Sequence, residues 1–408
     1  MTLVEEEHFL ALDPKPWVSL GVPFAEACAH HASLTFRAKR VYLIISSSIS
    51  KTPALRSLKA ALGDNIVGIR YRIRQHVPWP DVLEVAVELR DLDADLIVTL
   101  GAGSLTDAAK VASFAVVKGA FSLDALDKIH IRNADPSKLK PCTIPIINIP
   151  TSLSGGEYNP PGGATDLRNS RKTSFNHGSM GAQLVILDPE LTVSTPERVW
   201  LSSGMRAVDH CIEGLCSVAF RDGDTAGSGK VDRHLLKGLR LLLRSLLTTK
   251  HNPGDLEARK REMGVIEAMR GLTRGVPMGA SHGIGHQLGP LGVGHGETSC
   301  VMLPSVLRWN LKNQGEGEKW VRERLLKVLD AFWEDATKLG GLSREALSAG
   351  DVVAAFFGEL ELPGSLTEDK LEALAKNSMT DRCIPTNPVA ITEEAQILEI
   401  LEMALTAG

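Results

Sequence analysis

The sequence predicts an α/β domain with a largely parallel sheet, followed by an all-helical domain. Short buried-strand runs alternate with helical stretches up to about residue 188, and only helical periodicity follows. The chain has 408 residues, more than one hydrophobic core usually serves, so two domains are expected. We place these domains at residues 1–191 and 192–408.

Four apolar runs predict the strands of the first domain. They are short, rich in Ile, Val and Leu, and bounded by turn residues, which is typical of strands covered on both faces. The runs are VYLIIS (41–46), LIVTL (96–100), IPIINI (144–149) and LVIL (184–187). Between them, PALRSLKAALG (53–63) and DVLEVAVELRDL (81–92) repeat with helical period, as crossovers in a parallel sheet do.

Six longer segments with helical period predict the second domain. They span residues 195–219, 228–250, 255–272, 318–340, 344–360 and 392–406. The second of them has a basic face opposite a leucine-rich one, formed by Lys230, Arg233, Lys237, Arg240 and Arg244. Such a helix either binds a membrane or a partner groove, or packs through its leucines, and we favour packing.

The composition is that of an ordinary globular protein, with 43% hydrophobic and 23% charged residues. A net charge of −4 argues against nucleic acid or an anionic membrane as the partner. The six cysteines are scattered without a CxxC pair, and the start, MTLVEEEHFLALDP, lacks the features of a secretory signal. We therefore expect a cytoplasmic protein with reduced thiols that acts on a small molecule.

A glycine-containing turn follows the second predicted strand and suits a pyrophosphate. LIVTL leads into GAGSLTDAAK, in which Gly101 and Gly103 flank Ala102 and let the backbone approach a ligand closely. The N–H groups at the start of the next helix favour anionic oxygens. Ser104 would cap that helix or donate to phosphate, and Asp107 would cap it or reach the ligand. The alternative is an ordinary tight turn between a strand and a helix.

A second loop of the same kind follows the third predicted strand. IPIINIP ends in TSLSGGEYNP, residues 151–160, which brings hydroxyls and glycines to the carboxyl end of a strand. Ligands of open α/β sheets bind at this edge. Two such loops from neighbouring strands indicate a nucleotide crevice more strongly than either does alone.

Four histidines in the second domain resemble a metal site. His282, His286 and His295 lie within SHGIGHQLGPLGVGHGE, and His210 lies in the helical segment SGMRAVDHCIEGL. The residue one turn before His210 is Arg206, a permanent cation that is no metal ligand. The chemistry of this pocket depends on whether it holds a metal or a guanidinium in its place.

Taken in order, these segments resemble the metal-dependent, or iron-containing, alcohol dehydrogenase family, which includes the maleylacetate reductases and has a dehydroquinate synthase-like fold. GAGSLTDAAK is similar to the GGGSxxDxAK turn of the family, and IPTSLSGGE to its PTTxxGSE loop. SGMRAVDHCIEG is similar to its GMDAxxHxxE helix, and HGIGHQLGPLGVGHGE to its HxxxH…HG segment. The resemblance covers roughly residues 15–405.

The resemblance implies a Rossmann-like dinucleotide domain, a helical catalytic domain with the active site between the two, hydride transfer with NAD or NADP, and a homodimer. Many relatives carry an aspartate after the first strand that repels the 2′-phosphate of NADP, whereas this chain has Ser46–Ser48, so either cofactor is expected. The implied cofactor-binding residues are Gly101, Ala102, Gly103, Ser104, Asp107, Thr151, Ser152, Leu153 and Ser47, with Lys172 near the ribose.

In metal-binding relatives the ligands are one aspartate and three histidines. His210, His282 and His295 match the histidines, but the aspartate position is Arg206. A guanidinium about 5 Å from a divalent ion costs roughly 6–7 kcal/mol at an effective dielectric constant of about 20. We therefore do not favour zinc or iron, and the three histidines are ligands only if a metal is retained.

By resemblance, the maleylacetate reductases are the branch that also replaces this aspartate and needs no metal. We expect Arg206 to bind a substrate carboxylate or to polarise a carbonyl, helped by His282 and His295. The alternative is a structural ion pair between Arg206 and Asp209 or Glu213. His286, one turn after His282, is the candidate proton donor or relay, the alternative being a histidine that only shapes the pocket.

The sequence thus predicts an NAD(P)H-dependent reductase of a carbonyl or conjugated enoyl compound that carries a carboxylate, similar to maleylacetate. One alternative is a metal-dependent dehydrogenase of alcohols and aldehydes. Another is a family member that binds a nucleotide or ligand without redox turnover.

Overall fold

The computed structural model forms two compact units, Met1–Thr195 and Pro196–Gly408. Its described residues are 8–11, 16–131, 133, 140–169, 171–221, 228–260, 263–272, 275–289, 292–315, 319–335, 348–362, 366 and 371–405. Among the described residues, no helix is long and apolar enough to span a bilayer.

The N-terminal unit is built on a seven-stranded sheet. Its strands are β1 (His8–Ala11), β2 (Trp17–Leu20), β3 (Val41–Ile45), β4 (Ile66–Arg70), β5 (Leu96–Gly101), β6 (Ile146–Pro150) and β9 (Leu184–Leu187). The order across the sheet is β1–β2–β9–β6–β5–β3–β4, and every neighbouring pair is parallel except β1 with β2. A separate antiparallel pair is formed by β7 (Gly162–Asp166) and β8 (Arg171–Phe175).

The predicted α/β class and all four predicted strands are confirmed as β3, β5, β6 and β9. The sequence reading missed the short strands β1 and β2, then β4, whose residues are all half-buried, and the β7–β8 pair, whose alternation is too short to stand out. The helices of this unit are α1 (Phe24–His30), α2 (Pro53–Leu62), α3 (Trp79–Asp91), α4 (Gly103–Lys118), α5 (Leu123–Asp127) and α6 (Pro189–Thr192).

Alternate residues of the central strands enter two different cores. Along β3, Tyr42 and Ile44 belong to a core with residues of α3 and α4. Leu43 and Ile45 belong to a second core with residues of α1 and α2. Because successive side chains of a strand point to opposite faces, a sheet covered by helices on both sides requires the continuous apolar runs seen in the sequence.

The strand order marks where a ligand should bind. β4 lies outside β3, whereas β5, β6 and β9 continue on its other side, so the winding of the chain reverses between β3 and β5. Ligands of open α/β sheets bind at the carboxyl ends of the strands at such a reversal. Ile45 is in register with Leu100, and Gly101 with Pro150, so the residues that follow these strands meet at one edge.

The C-terminal unit is helical, and the residues described in it contain no strand. Its helices are α7 (Glu197–Leu215), α8 (Ser228–His251), α9 (Leu256–Lys260), α10 (Met263–Leu272), α11 (Ala280–Leu288), α12 (Glu297–Asn313), α13 (Lys319–Asp335), α14 (Ala349–Glu359), α15 (Leu371–Ser378) and α16 (Glu394–Leu405). Parts of two predicted helices, between residues 336 and 347, lie outside the described residues.

The basic helix, α8, packs through its leucines. Leu235, Leu239 and Leu242 are fully buried. On its basic face, Lys237 forms an ion pair with Glu267 at 3.1 Å and Arg240 one with Glu334. This agrees with the favoured interpretation of a packed helix.

Candidate active site

The turn between β5 and α4 is closed so tightly that only glycine fits. Gly101 has a φ of +143°, and a Cβ there would lie 2.7 Å from the Cβ of Ser46. A Cβ on Gly103 would lie 2.7 Å from Oγ of Ser154. The backbone N–H of Thr151 donates to the Gly101 carbonyl at 3.1 Å, so both predicted loops meet here.

The start of α4 is free to receive an anion. Its N-cap residue, Ala102, makes no side-chain capping hydrogen bond. The expectation that Ser104 or Asp107 caps this helix is wrong, because both lie inside it, at its second and fifth positions. The N–H groups of the first turn therefore keep their capacity for phosphate oxygens, and this cradle fits a dinucleotide.

The second loop is anchored to its surroundings by hydroxyl groups. Thr195 Oγ1 donates to the Thr151 carbonyl at 2.7 Å, and Ser152 Oγ donates to Ser154 Oγ at 3.4 Å. Thr151, Ser152 and Leu153 are all buried. The predicted loop residues therefore lie beside Gly101 as part of a fixed edge.

Sequence reasoning missed Lys110, the last residue of GAGSLTDAAK. Its side chain is fully buried, and its Nζ donates to the carbonyls of Gly156, Asn159 and Pro161 at 2.6, 2.5 and 3.1 Å. A lysine after two alanines on a helix inside an apolar core was the available signal. Lys110 ties the segment that follows the second loop to α4.

Two other predicted cofactor residues lie nearer the surface. A Cβ on Gly163 would lie 2.6 Å from Cε of Lys172 and 3.6 Å from Oδ2 of Asp107, so the missing side chain lets these two approach each other. Lys172 and Ser47 are both exposed. Oγ of Ser46 lies 3.3 Å from Oγ of Ser48 at the end of β3, in a segment of three serines without an acidic side chain.

In the C-terminal unit, one face of α7 carries the predicted polar residues. Arg206, Asp209, His210 and Glu213 follow each other at spacings of three, one and three residues, which places them on one side of the helix. Each except His210 is buried, and His210 is half-buried. α7 packs against α12, and α12 packs against α11.

Arg206 is held by hydroxyl groups more closely than by a carboxylate. Its side chain is 3% exposed, and its Nη1 donates to Ser299 Oγ at 3.1 Å and to Thr298 Oγ1 at 3.4 Å. The carboxylate oxygen Oδ2 of Asp209 is 3.9 Å from the same Nη1. Arg206 Nε is buried without a hydrogen-bond partner. The ion pair with Asp209, which was the alternative role for Arg206, is therefore long, and part of the guanidinium is left unsatisfied.

Asp209 and Arg206 are also linked through Ser299. That hydroxyl donates to Asp209 Oδ2 at 2.6 Å, and Ser281 Oγ donates to the same oxygen at 2.9 Å. Burial, with the nearby charge of Glu213, raises the pKa of Asp209 to about 8. Near neutral pH Asp209 is therefore a weak counter-charge, and it leaves most of the positive charge of Arg206 unbalanced.

His282, on α11, is oriented by a buried carboxylate. Its Nδ1 lies 2.7 Å from Glu213 Oε2, and Glu213 also accepts the backbone N–H groups of Gly279 at 2.9 Å and Ser281 at 2.8 Å. Glu213 therefore caps α11 as well. Burial, followed by the charge of Arg206, lowers the pKa of His282 well below its ordinary value, so this ring is neutral.

His286, one turn further along α11, has its own carboxylate. Its Nδ1 lies 3.0 Å from Oδ2 of Asp381, and its side chain is 29% exposed. Sequence reasoning missed Asp381, because nothing in the stretch TDRCIPTNP links it to a histidine 95 residues earlier. Gly285 lies between the two histidines, and a Cβ there would lie 3.8 Å from Nη1 of Arg206, so the guanidinium faces this turn of α11.

The three histidines predicted as metal ligands do not form a compact group. The rings of His210 and His282 lie 4.8 Å apart, with Nδ1 of His210 and Nε2 of His282 buried and unpartnered. His295 is exposed. Among the described residues, the groups with all ligand atoms within 4.8 Å are Asp209, Glu213 and His282, and His286, Asp381 and Cys383.

This donor set does not fit a divalent ion. Burial lowers the pKa of both His210 and His282, and the positive charge of Arg206, which would also repel a cation, adds to the shift. The carboxylate of Glu213 is already occupied by two backbone N–H groups and His282. The structure brings Arg206, His210, His282 and His286 together, but it does not assemble them into a metal site with His295.

Comparison with known proteins agrees with this architecture. Residues 24–189 match the model of the iron-containing alcohol dehydrogenases, and residues 200–405 match the model of the C-terminal part of the Fe-containing alcohol dehydrogenase family. The chain belongs to the iron-containing alcohol dehydrogenase family. It is an oxidoreductase.

Individual relatives span about nine-tenths of the chain. It is 43% identical to "Dehydrogenase ALT3" of Alternaria alternata, over 90% of this chain and 100% of the relative. It is 28% identical to a maleylacetate reductase of Sphingobium indicum, over 89% of this chain and 88% of that enzyme. Among solved structures, a sulfoacetaldehyde reductase from Bifidobacterium kashiwanohense in complex with NAD+ has a TM-score of 0.77 at 18% identity, covering 99% of this chain and 100% of that one.

Proposed function

We propose that this chain is an NAD(P)H-dependent reductase of a carbonyl or conjugated enoyl compound that carries a carboxylate, with Arg206 in place of the usual metal-binding aspartate. The observation that carries the proposal is the buried guanidinium with an unpartnered Nε, held mainly by the hydroxyls of Ser299 and Thr298. Burying a cation without a close carboxylate costs free energy, and a bound anion that accepts hydrogen bonds from the cation offsets this cost.

A substrate carboxylate or a developing enolate oxygen is the anion that suits this position. A guanidinium offers two parallel N–H donors to such an oxygen pair, and the interaction is strong where water is excluded. Burial lowers the pKa of Arg206, against the charges of Asp209 and Glu213, but an arginine keeps its proton in a protein. Arg206 therefore supplies the positive charge for which other family members use a metal.

The two histidines of α11 divide the remaining tasks. His282 is held through Nδ1 by Glu213, and its Nε2 is buried without a hydrogen-bond partner, so we propose that it contacts the substrate beside Arg206. His286 is the more exposed of the two and is the proposed proton donor. His295, exposed in the structure, is left without a role in the proposal.

A reduced nicotinamide bound at the β5–α4 turn would supply the hydride. Support comes from the Gly101 and Gly103 cradle, from the uncapped start of α4, and from the NAD+ bound by the sulfoacetaldehyde reductase of the same fold. Ser46–Ser48 offer no carboxylate against a 2′-phosphate, so we propose that NADPH is accepted as well as NADH.

The test is reduction by the purified full chain, followed through the absorbance of NADH or NADPH. We expect turnover with maleylacetate but not with a simple aldehyde such as butanal, and no change after chelation. Arg206→Met should lower kcat/KM by about 100-fold, because one charged contact in a dry site contributes about 2.7–4 kcal/mol. Arg198→Met, on the exposed part of the same helix, is the matched control.

Two results would contradict the proposal. Activity that a chelator abolishes and zinc or iron restores would assign the charge to a metal and favour the alcohol dehydrogenase alternative. No change in nicotinamide fluorescence with either cofactor would favour a ligand-binding protein without redox turnover. Metal content of Arg206→Asp separates the cases further, because we expect this variant to gain metal that the parent lacks.

A further inference from the structure

Asp381 is held in a fixed position beside His286. It follows α15, which packs against α11, and its N–H donates to the Ser378 carbonyl at 2.8 Å. Its Oδ1 accepts the N–H of Cys383 at 2.9 Å, which leaves Oδ2 for the imidazole Nδ1 at 3.0 Å. The side chain is 13% exposed, less than half the exposure of the ring that it contacts.

Asp381 acts as a hydrogen-bond acceptor in this pair. Burial alone would raise the pKa of Asp381, but the hydrogen bond and charge of His286 and the N–H of Cys383 outweigh it, and the pKa lies below its ordinary value. An ionised carboxylate has no proton to donate, so His286 Nδ1 must carry the hydrogen. The other ring nitrogen, Nε2, is then the atom that exchanges protons.

The same arrangement occurs one turn earlier on α11. His282 has its Nδ1 on Glu213, and His286 has its Nδ1 on Asp381, although the two carboxylates come from different parts of the unit. The environments differ, since His282 is 5% exposed and His286 is 29% exposed. Both rings present Nε2, but His286 is the one with substantial access to a substrate.

We propose that Asp381 is a positioning residue that holds His286 in the Nδ1–H tautomer and directs its Nε2 to the substrate. This inference rests on the proposed role of His286 as the proton donor. As the substrate accepts the hydride and its electron pair, the proton on Nε2 of the imidazolium moves to the substrate. The ring returns to its neutral form with Nδ1–H still bound to Asp381, which stabilises the positive ring before transfer.

The test compares Asp381→Asn with Asp381→Glu. The amide of the first variant can donate to Nδ1 and so favours the Nε2–H tautomer, whereas the second keeps a carboxylate. We expect Asp381→Asn to lower kcat with maleylacetate by about 100-fold, the lower end of what a positioned acid contributes. Asp381→Glu should recover at least about a tenth of the original kcat, and the Kd for NADH should stay within about 2-fold in both variants.

A spectroscopic readout separates positioning from simple packing. ¹⁵N spectra of histidine-labelled full-length protein, assigned with His286→Gln, should show His286 as Nδ1–H in the parent and as Nε2–H in Asp381→Asn. Asp351→Asn is the matched control, because Asp351 accepts Ser348 N–H at 3.0 Å and Arg308 Nε at 2.7 Å on the same unit. It should lose stability without loss of kcat or a change in the signal of His286.

The outcomes distinguish this inference from the function on which it rests. If His286→Gln keeps full activity, the proposed proton donor is wrong. If His286→Gln is impaired but Asp381→Asn stays within about 3-fold of the parent, only the positioning role is wrong. A neutral His286 ring that carries its hydrogen on Nε2 in the parent protein overturns the inference even when no substrate is turned over.

Discussion

Replacing Lys110 with methionine should destabilise the N-terminal unit far more than a lysine change elsewhere on the same helix. The ammonium group of Lys110 is fully buried and serves three carbonyls that belong to Gly156, Asn159 and Pro161. Methionine keeps most of the volume but donates nothing, so three half-buried carbonyls lose their partner. The segment after the second ligand loop would then no longer be tied to α4.

The expected magnitude follows from the number of bonds and the cost of burying the charge. A hydrogen bond from a charged donor contributes about 1.5–3 kcal/mol, so three of them set an upper bound of about 5–9 kcal/mol. Burial lowers the pKa of Lys110, which means that removing the ammonium recovers part of this energy. Each carbonyl left without its donor costs about 1–3 kcal/mol, so with that recovery subtracted we expect a loss of about 3–5 kcal/mol.

The assay is thermal unfolding of the purified full chain, followed by calorimetry. At about 2–4 °C per kcal/mol for a unit of this size, Lys110→Met should lower Tm by roughly 6–20 °C. Lys118→Met is the control, because Lys118 lies on the same helix and makes one exposed hydrogen bond, to the Lys140 carbonyl at 3.0 Å. A surface change of this kind costs about 0.5 kcal/mol or less. If the two variants unfold within about 2 °C of each other, the role assigned to Lys110 is refuted.

Two further predictions concern the same edge of the sheet. Glu157 is buried with Oε2 unpartnered, and burial raises its pKa to about 7. Between about pH 4.5 and about pH 7 the folded state therefore holds a proton that the unfolded state releases. The free energy of unfolding falls by about 3 kcal/mol over this range and is constant above it. Glu157→Gln should flatten this slope in urea unfolding at about pH 5 and about pH 8, and an unchanged slope would contradict the assignment. Gly101→Ala should lower the free energy of unfolding by about 1–3 kcal/mol more than Gly119→Ala does, and it should abolish binding of NADH. Both glycines have a positive φ, but of the two only Gly101 is closely surrounded. Equal losses of Tm would mean that backbone strain alone, and not the contact with Ser46, requires glycine at position 101.

Much of the fold could be predicted because the controlling patterns are local. The runs at β3, β5, β6 and β9 are continuous and apolar, and a strand covered by helices on both faces permits little else. The edge strand β4 escaped prediction because its residues are only half-buried, so its composition carries no clear period. The β7–β8 pair escaped for the related reason that five residues per strand offer too few alternations.

In the candidate site, too, some residues could be predicted from the sequence and others could not. Gly101, Gly103, Arg206 and the α11 histidines stand out in the sequence because residue type and short spacing define them. The partner of His286, Asp381, does not stand out, because it lies 95 residues further along the chain. The carbonyls that bind Lys110 do not stand out either, because the nearest of them is 46 residues away. The metal question shows the difference most clearly, since the sequence supplied three histidines and only the structure separated His295 from the other two.

The sequence by itself therefore determined the family, the order of the two units, the glycine turn for a nucleotide and the presence of Arg206 one turn before His210. These features depend on residue identity and on periods of two to four residues, which folding does not change. The tertiary structure decided what each polar group is bonded to: hydroxyls on Arg206, Glu213 on His282, and Asp381 on His286. Those pairings need backbone segments far apart in the chain to be packed at fixed distances, and the energy that fixes them comes from the cores around them.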